Sequence, residues 1–323
     1  MIIDVHHHWM PQEHVENLEK YLRPGEVAEP LDQDTWFIKA KGRILFPPAR
    51  AYYRIDEHIR DLDIAGVDMA VLSLSCWQEW TTMATAPFIN DCMAEVQSRH
   101  PDRFIGLAHV PPFEEGALEE LERAVKVLGL KGVAITTHTL GRYPDAPEFR
   151  PFYAKVAELD VPIVVHAASL PQGEAILNIV YDGIGHPLVG RILDHSLATI
   201  RTLTSHMLDD FPSLRFVHGH LGGAAFFPAR EWLMLAGPEY EKYRPQLYFD
   251  TAPLGWSRHA LNCAAASHGV DYVMMGSDYP AAAHSGQDIA SAVKAIQELD
   301  LTAEEKERIL GGNAARVFKI EGQ

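Results

Sequence analysis

The sequence predicts a single α/β domain spanning residues 1–323, folded as a (β/α)8 TIM barrel. Short apolar runs rich in β-branched residues alternate with longer stretches of helical periodicity, an order typical of right-handed βαβ units in a parallel sheet. Eight such units would close a barrel, and the length suits a barrel with insertions. A doubly wound open sheet is the alternative fold. The runs are residues 2–5, 69–74, 104–108, 132–135, 162–166, 214–218, 247–250 and 272–275.

Amphipathic stretches between the runs predict helices over residues 55–65 and 117–128, where apolar side chains recur at helical spacing among charges. Thr302, followed by Glu304 and Glu305, is typical of a helix N-cap with an acidic first turn.

Two long segments interrupt the alternation. Residues 11–53, rich in Pro, Trp and Arg, form an insertion after the first strand, and long loops at the catalytic face of a barrel often shape substrate pockets. Residues 169–210 form a second connection with a mostly helical pattern. No internal repeat or domain linker divides the sequence, so we expect one domain.

Composition excludes several classes of partner. The formal net charge of -16 argues against binding nucleic acid or an anionic membrane through bulk electrostatics. No apolar run approaches the roughly 20 residues that a membrane-spanning helix needs. The 3 cysteines lack metal-like spacing and do not suggest a disulfide framework. Without a signal-peptide pattern, we expect a cytoplasmic protein.

Histidine and aspartate side chains follow several of the predicted strands. His6 and His8 follow the first run, His166 ends the fifth and Asp278 follows the eighth. The carboxyl ends of barrel strands meet at one face, and His6 and His8 alternate along an extended segment, so they face one side. Imidazole and carboxylate are the usual ligands of a borderline divalent metal. We therefore predict that these four residues hold a metal, with Asp278 also a candidate catalytic base.

Two histidines after the sixth run compete for an acid–base role. His218 and His220 alternate along the chain, and both are expected to face inward. Gly222 and Gly223 would let the backbone approach the site closely. We assign the catalytic role to His220, which lies further toward the catalytic end, and a supporting or packing role to His218. Other histidines have no comparable context and are interpreted as structural, among them His138, His186, His195 and His284.

Lys131 bears on the number of metal ions. Barrels with two metals often bridge them through a carboxylated lysine at the end of the fourth strand. Here Lys131 precedes the run at residues 132–135, which would place it at the opposite end of that strand. The sequence therefore favours one metal.

These residues belong to motifs by which the chain resembles the amidohydrolase-related family of the aminocarboxymuconate-semialdehyde decarboxylase type. The resemblance runs nearly end to end. The motifs are Ile-Asp-Val-His-His-His at 3–8, Leu-Lys-Gly-Val at 130–133, Gly-His-Leu-Gly-Gly at 219–223, Gly-Ser-Asp-Tyr-Pro at 276–280 and Ile-Leu-Gly-Gly-Asn-Ala-Ala-Arg at 309–316.

The resemblance implies a barrel of the metal-dependent hydrolase type with one divalent metal, usually Zn²⁺ and sometimes Mn²⁺. It implies the same four metal ligands and matches His220 to the catalytic histidine. In the decarboxylases of this family arginines help to bind the substrate carboxylate, one sometimes donated by a neighbouring subunit. The candidates here are Arg230, Arg43, Arg50 and Arg54. Candidates for an apolar wall of the pocket are Trp77, Trp80 and Phe46.

The leading functional hypothesis is nonoxidative decarboxylation of a small unsaturated or aromatic carboxylic acid, with His220 handling the proton. The alternative is hydrolysis of a lactone or amide, or a hydration, by water that the metal activates. A noncatalytic metal-binding scaffold would leave His220 without a role beside the ligands. We also expect a homodimer with residues 226–232 near the interface, because of the resemblance and the apolar cluster there.

Overall fold

Eight strands form the central sheet of the protein, a computed structural model that describes residues 1–22, 26–30, 36–40, 43–45, 50–168, 190–223, 240–252 and 257–320. Each strand overlaps one of the predicted runs, and the first extends three residues past its run to include His6 and His8. The strands are β1 Ile3–His8, β2 Met69–Ser73, β3 Phe104–Gly106 continued by Ala108–His109, β4 Val133–Thr136, β5 Ile163–His166, β6 Phe216–His218, β7 Leu247–Asp250 and β8 Val273–Met274.

The strands close into a barrel. Successive strands pair in parallel from β1 to β8. Between β8 and β1, Val5 N donates to Met275 O at 3.0 Å, and a parallel bridge joins His7 to Tyr279. These contacts complete the ring, so the predicted (β/α)8 barrel is confirmed and the open sheet is excluded.

Helices surround the barrel. They are α1 Gln12–Glu16, α2 Ile55–Ala65, α3 Ala86–Arg99, α4 Ala117–Lys126, α5 Arg150–Leu159, α6 Arg191–Thr204, α7 Met207–Asp210, α8 Tyr240–Tyr243, α9 Arg258–His268, α10 Gly286–Gln297, α11 Ala303–Glu307 and α12 Asn313–Phe318. Shorter helical turns are Leu18–Tyr21, Arg50–Tyr52, Ser75–Trp80, Pro147–Phe149, His220–Gly222, Arg244–Gln246, Val270–Tyr272 and a π-turn at Arg308–Gly312. Within the described residues, no helix is long and apolar enough to cross a membrane.

The predicted helix boundaries agree closely with the structure. Helix α2 has the expected bounds, and Gly66 ends it in the left-handed conformation that residues other than glycine adopt at a cost. Helix α4 ends at Lys126, two residues earlier than predicted. Thr302 caps α11 through a capping box with Glu305.

The core has two layers, as strand alternation requires. One set of side chains fills the barrel lumen, including Val5, Val71, Val164, Val217 and Met274. The other set packs between the strands and the helices. Because the strands are parallel, their carboxyl ends lie together at one face of the barrel, above the apolar lumen.

The insertion after β1 is partly described. It contains α1 and a small antiparallel sheet of three strands, Glu26–Pro30, Trp36–Ala40 and Arg43–Leu45. The described part of the second long connection begins at residue 190 and consists of α6 and α7, in agreement with its helical pattern.

Candidate metal centre

A bulge in β1 brings two histidines to the site. Val5 faces the lumen, so strict alternation would turn His6 outward. The register of β1 against β2 shifts in the middle of the strand, which inserts one extra residue. As a result His6 and His8 both face the site, while His7 points outward and contacts His58 of α2 at 3.0 Å.

The structure brings the four predicted ligands together. One nitrogen or oxygen from each lies within 4.8 Å of the others, and all four side chains are buried. Nε2 of His8 lies 3.0 Å from Oδ1 of Asp278, and Nε2 of His6 lies 3.5 Å from the same oxygen. Among the described residues, Nε2 of His6 and of His166 have no hydrogen-bond partner. Three imidazoles and one carboxylate aimed at one point suit Zn²⁺ or Mn²⁺.

Hydrogen bonds on the far side of each histidine direct Nε2 toward this point. In each case Nδ1 is engaged, which leaves the Nε2 lone pair free to bind a metal. The contacts are His6 Nδ1 to Asp250 Oδ2 at 2.8 Å, His8 Nδ1 to Ser73 Oγ at 3.0 Å and His166 Nδ1 to Ala167 O at 2.9 Å.

Asp250, at the end of β7, was not among the predicted site residues. Its side chain is fully buried. Besides holding His6, its Oδ1 accepts hydrogen bonds from the backbone N–H groups of His220 at 3.0 Å and Ala252 at 3.1 Å. Asp250 therefore couples a predicted ligand to the turn that carries His220, the predicted catalytic histidine. A carboxylate ending a predicted strand was the available signal.

The electrostatics of the centre favour a cation. Burial lowers the pKa of His6, but the charge and hydrogen bond of Asp250 and the nearby carboxylate of Asp278 outweigh this effect and raise the pKa to about 10. Burial raises the pKa of Asp278, yet the close contacts of its carboxylate with His6 and His8 hold this pKa well below its usual range. Burial and the neighbouring His8 and His6 keep the pKa of His166 well below normal. Two buried carboxylates thus face one region where positive charge is stabilised.

His220 and His218 separate onto different sides of the sheet. The expectation that both face inward is wrong for His218. Val217 occupies the lumen position, so His218 points outward and stacks with Phe216 and Phe249, with ring centroids 6.0 and 5.9 Å away. His218 is therefore a packing residue, one of the two roles that the sequence analysis gave it.

His220 reaches the site because the chain turns after β6. It adopts a φ of 53°, and its ring lies 4.7 Å from His6 and 5.5 Å from His166. It is not one of the four clustered ligands. Burial and the nearby His6 lower its pKa to about 4. A buried, neutral imidazole beside the cluster suits proton transfer.

A largely apolar cavity of about 360 Å³ lies at the carboxyl ends of β3 and β4. Two of its lining residues border the metal centre. Thr136 is the strand neighbour of His166, and His109 accepts a hydrogen bond from Leu74 N, next to the Ser73 that contacts His8.

Of the predicted aromatic wall, Trp80 lines the cavity but Trp77 does not. Trp80 lines the cavity, with Phe113, whereas Trp77 lies behind it with ring centroids 5.0 Å apart. Trp77 is fully buried and supports the wall without forming it. Phe46 lies outside the described residues.

The predicted arginines are not brought to the centre by the described structure. Arg230 lies outside the described residues, and Arg43 and Arg50 lie in described backbone whose side chains are not described. Arg54 pairs with Glu57 at 2.9 Å on the surface. Sequence reasoning missed Arg191, at the start of α6. Its charge lowers the pKa of His220, although its effect is smaller than those of burial and His6.

Lys131 lies where its position in the sequence predicted. It borders a groove at the amino-terminal face of the barrel together with Met1 and Lys319. It is therefore remote from the strand ends that carry the histidines, and it cannot bridge a second metal there.

Comparisons with known proteins agree with this geometry. The family model described as Amidohydrolase matches residues 3–320. The chain is 28% identical over 297 residues to a gamma-resorcylate decarboxylase of Rhizobium sp., covering 83% of this chain and 88% of that protein. It is 27% identical to a 2-amino-3-carboxymuconate-6-semialdehyde decarboxylase of Dictyostelium discoideum, covering 99% and 92%.

Solved structures show the same fold. One is a 5-carboxyvanillate decarboxylase of Novosphingobium aromaticivorans complexed with manganese and 4-hydroxy-3-methoxy-5-nitrobenzoic acid. It superimposes with a TM-score of 0.79 at 23% identity, covering 99% of this chain and 96% of that one.

Proposed function

This chain belongs to the amidohydrolase family, and from that premise we propose that it catalyses metal-dependent, nonoxidative decarboxylation of a small aromatic or unsaturated carboxylic acid. The observation that carries the proposal is a buried set of three histidines and Asp278 beside His220, which stays outside the set. The relatives that act as decarboxylases support this choice among the family's reactions.

The metal ligands, His220 and Asp250 have different roles in the proposed reaction. A divalent metal held by His6, His8, His166 and Asp278 would supply the Lewis acidity that stabilises negative charge on substrate oxygens. In the reaction, the bond between the carboxyl carbon and its neighbouring carbon breaks, CO₂ leaves, and a proton takes its place. His220, after taking up a proton from solvent, would deliver that proton and return to its neutral form. Asp250 bonds both to His6 and to the backbone of His220, so it fixes the position of the proton donor His220 relative to the ligand His6.

The cavity supports a substrate with an apolar body. Its volume of about 360 Å³ accommodates one ring with small substituents. None of its described lining residues is a lysine or arginine. We therefore place the ring against Trp80 and Phe113 and the carboxylate at the metal centre. The predicted roles of Arg230 and Arg43 in binding the carboxylate, and of Phe46 in the wall, stay part of this proposal.

A substrate screen tests the proposal. The purified protein, loaded with Zn²⁺ or Mn²⁺, is offered aromatic hydroxy acids and muconate-type acids while CO₂ release is measured. Lactones, amides and unsaturated acids are monitored in parallel for ring opening and water addition, and metal-free protein is the control. Metal-dependent CO₂ release is expected; ring opening or hydration without CO₂ release would favour the alternative reactions.

Metal content is a separate test. We propose one ion per chain, with Zn²⁺ preferred and Mn²⁺ the alternative, because Lys131 lies at the far face. Elemental analysis should find about one equivalent. Two equivalents per chain, both required for activity, would contradict a mononuclear centre.

We also propose a cytoplasmic homodimer with residues 226–232, outside the described part, near the interface. The free thiols of Cys92 and Cys263 support a reducing compartment. If Arg230 serves the neighbour's site, mixing inactive Arg230→Ala and His220→Ala proteins should restore some activity through hybrid dimers. A fully active monomer in light scattering would exclude this arrangement.

A further inference from the structure

A tight turn after β4 carries an apolar residue in a backbone conformation that suits it poorly. In this two-residue hairpin turn, Thr139 N donates to Arg142 O at 2.9 Å and Arg142 N donates to Thr139 O at 3.0 Å. The central residues, Leu140 and Gly141, have φ of 50° and 82°. Positive φ at both positions is typical of a type I′ turn, whose first central position favours Asn, Asp or Gly. A leucine there destabilises the turn, because its Cβ crowds the following carbonyl oxygen.

Packing compensates for little of this strain. Among the described residues, the other apolar residue with a positive φ is Leu221, which is fully buried, so that apolar burial offsets its strain. Leu140 is instead 67% exposed. A leucine that is both strained and exposed makes the fold less stable than an asparagine at the same position would. Strained residues of this kind cluster at functional sites, which directs attention to what Leu140 faces.

Leu140 lies at the outer end of the cavity beside the metal centre. Thr136, Thr139 and Leu140 all line this cavity. Thr136 pairs with His166 at the metal end, and Leu140 reaches solvent at the other end. Of the large apolar side chains that are exposed in the described part of the chain, Leu140 alone lines the cavity. Its side chain is therefore available to a molecule in the cavity, at the end away from the metal centre.

The turn is held against the wall of the cavity. The guanidinium of Arg142 lies 5.0 Å from the centre of the Phe113 ring, which lines the cavity, and this contact is a cation–π interaction. Nε of Arg142 also donates to Glu148 Oε1 at 3.0 Å. Because Arg142 closes the turn and also packs on the wall, it defines where Leu140 lies relative to Phe113.

The charges around the cavity bear on the same end of a bound molecule. Among the described lining residues, the charged ones are Glu79 and Glu114. A carboxylate of the substrate that lay outside the metal centre would therefore face like charge, which disfavours binding. An apolar group at the outer end would instead be covered by Leu140, which favours binding.

We propose that Leu140 is a specificity-determining residue that covers the edge of the substrate opposite its reacting carboxylate. The cavity would then select aromatic monocarboxylic acids with an apolar group at that edge, over acids with a second carboxylate there. This inference rests on the proposed function for the orientation of the substrate, whose reacting carboxylate lies at the metal centre. Contact with the substrate is the function that the lost stability of the turn serves.

Two small acids test the proposal without turnover. Opposite its carboxylate, para-toluate carries a methyl group and terephthalate carries a second carboxylate. In titration calorimetry of the zinc-loaded wild type, the Kd of para-toluate should be at least roughly tenfold below that of terephthalate. Leu140→Asn should raise the Kd of para-toluate roughly 3- to 10-fold, because an apolar contact is lost. Leu140→Met keeps an apolar side chain and should bind para-toluate within about twofold of the wild type.

Thermal unfolding of the same variants should change in the opposite sense. Leu140→Asn should raise Tm by roughly 1–4 °C, because asparagine suits the turn. Val127→Thr alters an exposed apolar residue at the end of α4, and as the control it should leave para-toluate binding unchanged.

Several results would overturn the proposal. One is a Leu140→Asn protein that binds para-toluate within about twofold of the wild type, or that melts below it. Another is a wild type that prefers terephthalate or binds neither acid. A third is a smaller mass of Leu140→Asn in light scattering, which would assign Leu140 to a contact between subunits.

The outcomes for Leu140 and for the proposed reaction can be told apart. If para-toluate binding depends on Leu140 but the substrate screen releases no CO₂, the decarboxylase function fails and the binding role of Leu140 stands. If CO₂ is released while Leu140→Asn leaves the KM of the active substrate and the Kd of para-toluate unchanged, only the role of Leu140 fails.

Discussion

Asp250 and Asp278 determine how the metal centre balances its charge. Both carboxylates contact His6, whose pKa they raise to about 10 against the effect of burial. A divalent ion would replace that proton, since a metal ligand must be deprotonated. Asp278 would contact the ion directly, whereas Asp250 acts through His6. The two aspartates therefore perform different tasks although they share a neighbour.

At His220 we expect chemistry and metal binding to separate. His220→Ala should keep about one metal per chain, because His220 is outside the ligand cluster, and should lose roughly 10²- to 10⁴-fold in rate. Elemental analysis and CO₂ release on the same preparation check this. His6→Ala, which removes a ligand, is the comparison and should lose both. A metal-free His220→Ala protein would show that the ligand assignment is wrong.

At Asp250 the expected effect is on metal affinity. Asp250→Asn keeps the shape and an oxygen for the His220 backbone, but it removes the charge that supports His6. Affinity should fall roughly 10- to 100-fold, as when the hydrogen-bond partner of a ligating histidine is changed. Competition with a chelator measures this. Asp271→Asn, which alters an exposed partner of Arg308 far from the centre, is the control. Equal affinities of the two variants would contradict the role of Asp250.

Several site residues lie where the regular conformation of a strand is interrupted or ends. The bulge in β1 places His6 and His8 on one side. After β6 and β8 the chain enters the left-handed region, with φ of 53° at His220 and 60° at Asp278. Such conformations cost energy in residues other than glycine and persist where surrounding contacts enforce them. The catalytic face is therefore built from strand exits held by their neighbours.

The contact between α6 and the turn that carries His220 can be tested through Gly223. Gly223 has a φ of 74°, and a Cβ there would overlap Ser196 N and Ile192 O. Gly66 has a φ of 67° and a ψ of 29°, with nothing within 4 Å of its Cβ position, so it is a control for left-handed strain without overlap. Gly223, with a ψ of -131°, lies in a region that is open almost only to glycine, so its backbone strain is larger. Gly66→Ala should cost about 1–2 kcal/mol of unfolding free energy. Gly223→Ala should cost about 3–5 kcal/mol, because overlap adds to strain. Denaturant titration measures the unfolding free energies of the two variants. Equal losses would mean that α6 can shift away from the added methyl group at little cost.

At the scale of the whole molecule, buried histidines make stability depend on pH. Burial lowers the pKa of several histidines outside the ligand cluster to about 3 or 4, namely His14, His58, His109, His218 and His268. In the unfolded chain these groups titrate near about 6.5. Below that pH the unfolded state binds more protons than the folded state. Their contribution is therefore complete above about pH 6.5 and is lost as pH falls toward the folded pKa values.

The free energy of unfolding should accordingly fall between pH 7 and pH 5. Each of these histidines adds up to about 1.4 kcal/mol per pH unit to the slope. Denaturant titration at several pH values measures the slope. His218→Gln should reduce it by about one such increment, because burial holds the pKa of His218 at about 3. A slope unchanged in that variant would mean that His218 also binds a proton at these pH values in the folded state, so that burial does not lower its pKa.

Local pattern was enough to predict the barrel and the candidate ligands. The eight runs and the helix over residues 55–65 follow from side-chain periodicity, which is a property of neighbouring residues. The candidate metal ligands stand out because each comes at or just after the end of a run, and strand ends share one face of a barrel. For this reason the structure brings His6, His8, His166 and Asp278 together as expected.

Only the tertiary structure decided which face of a strand looks inward and what packs behind it. Periodicity shows that His218 and a lumen residue alternate, but the register of β6 against its neighbours places Val217 inside and His218 outside. The contact of Asp250 with His6 spans 244 residues, and that of His195 with His220 depends on how α6 packs. Such contacts arise from the relative placement of distant elements, about which the order of residues within any one element carries no information.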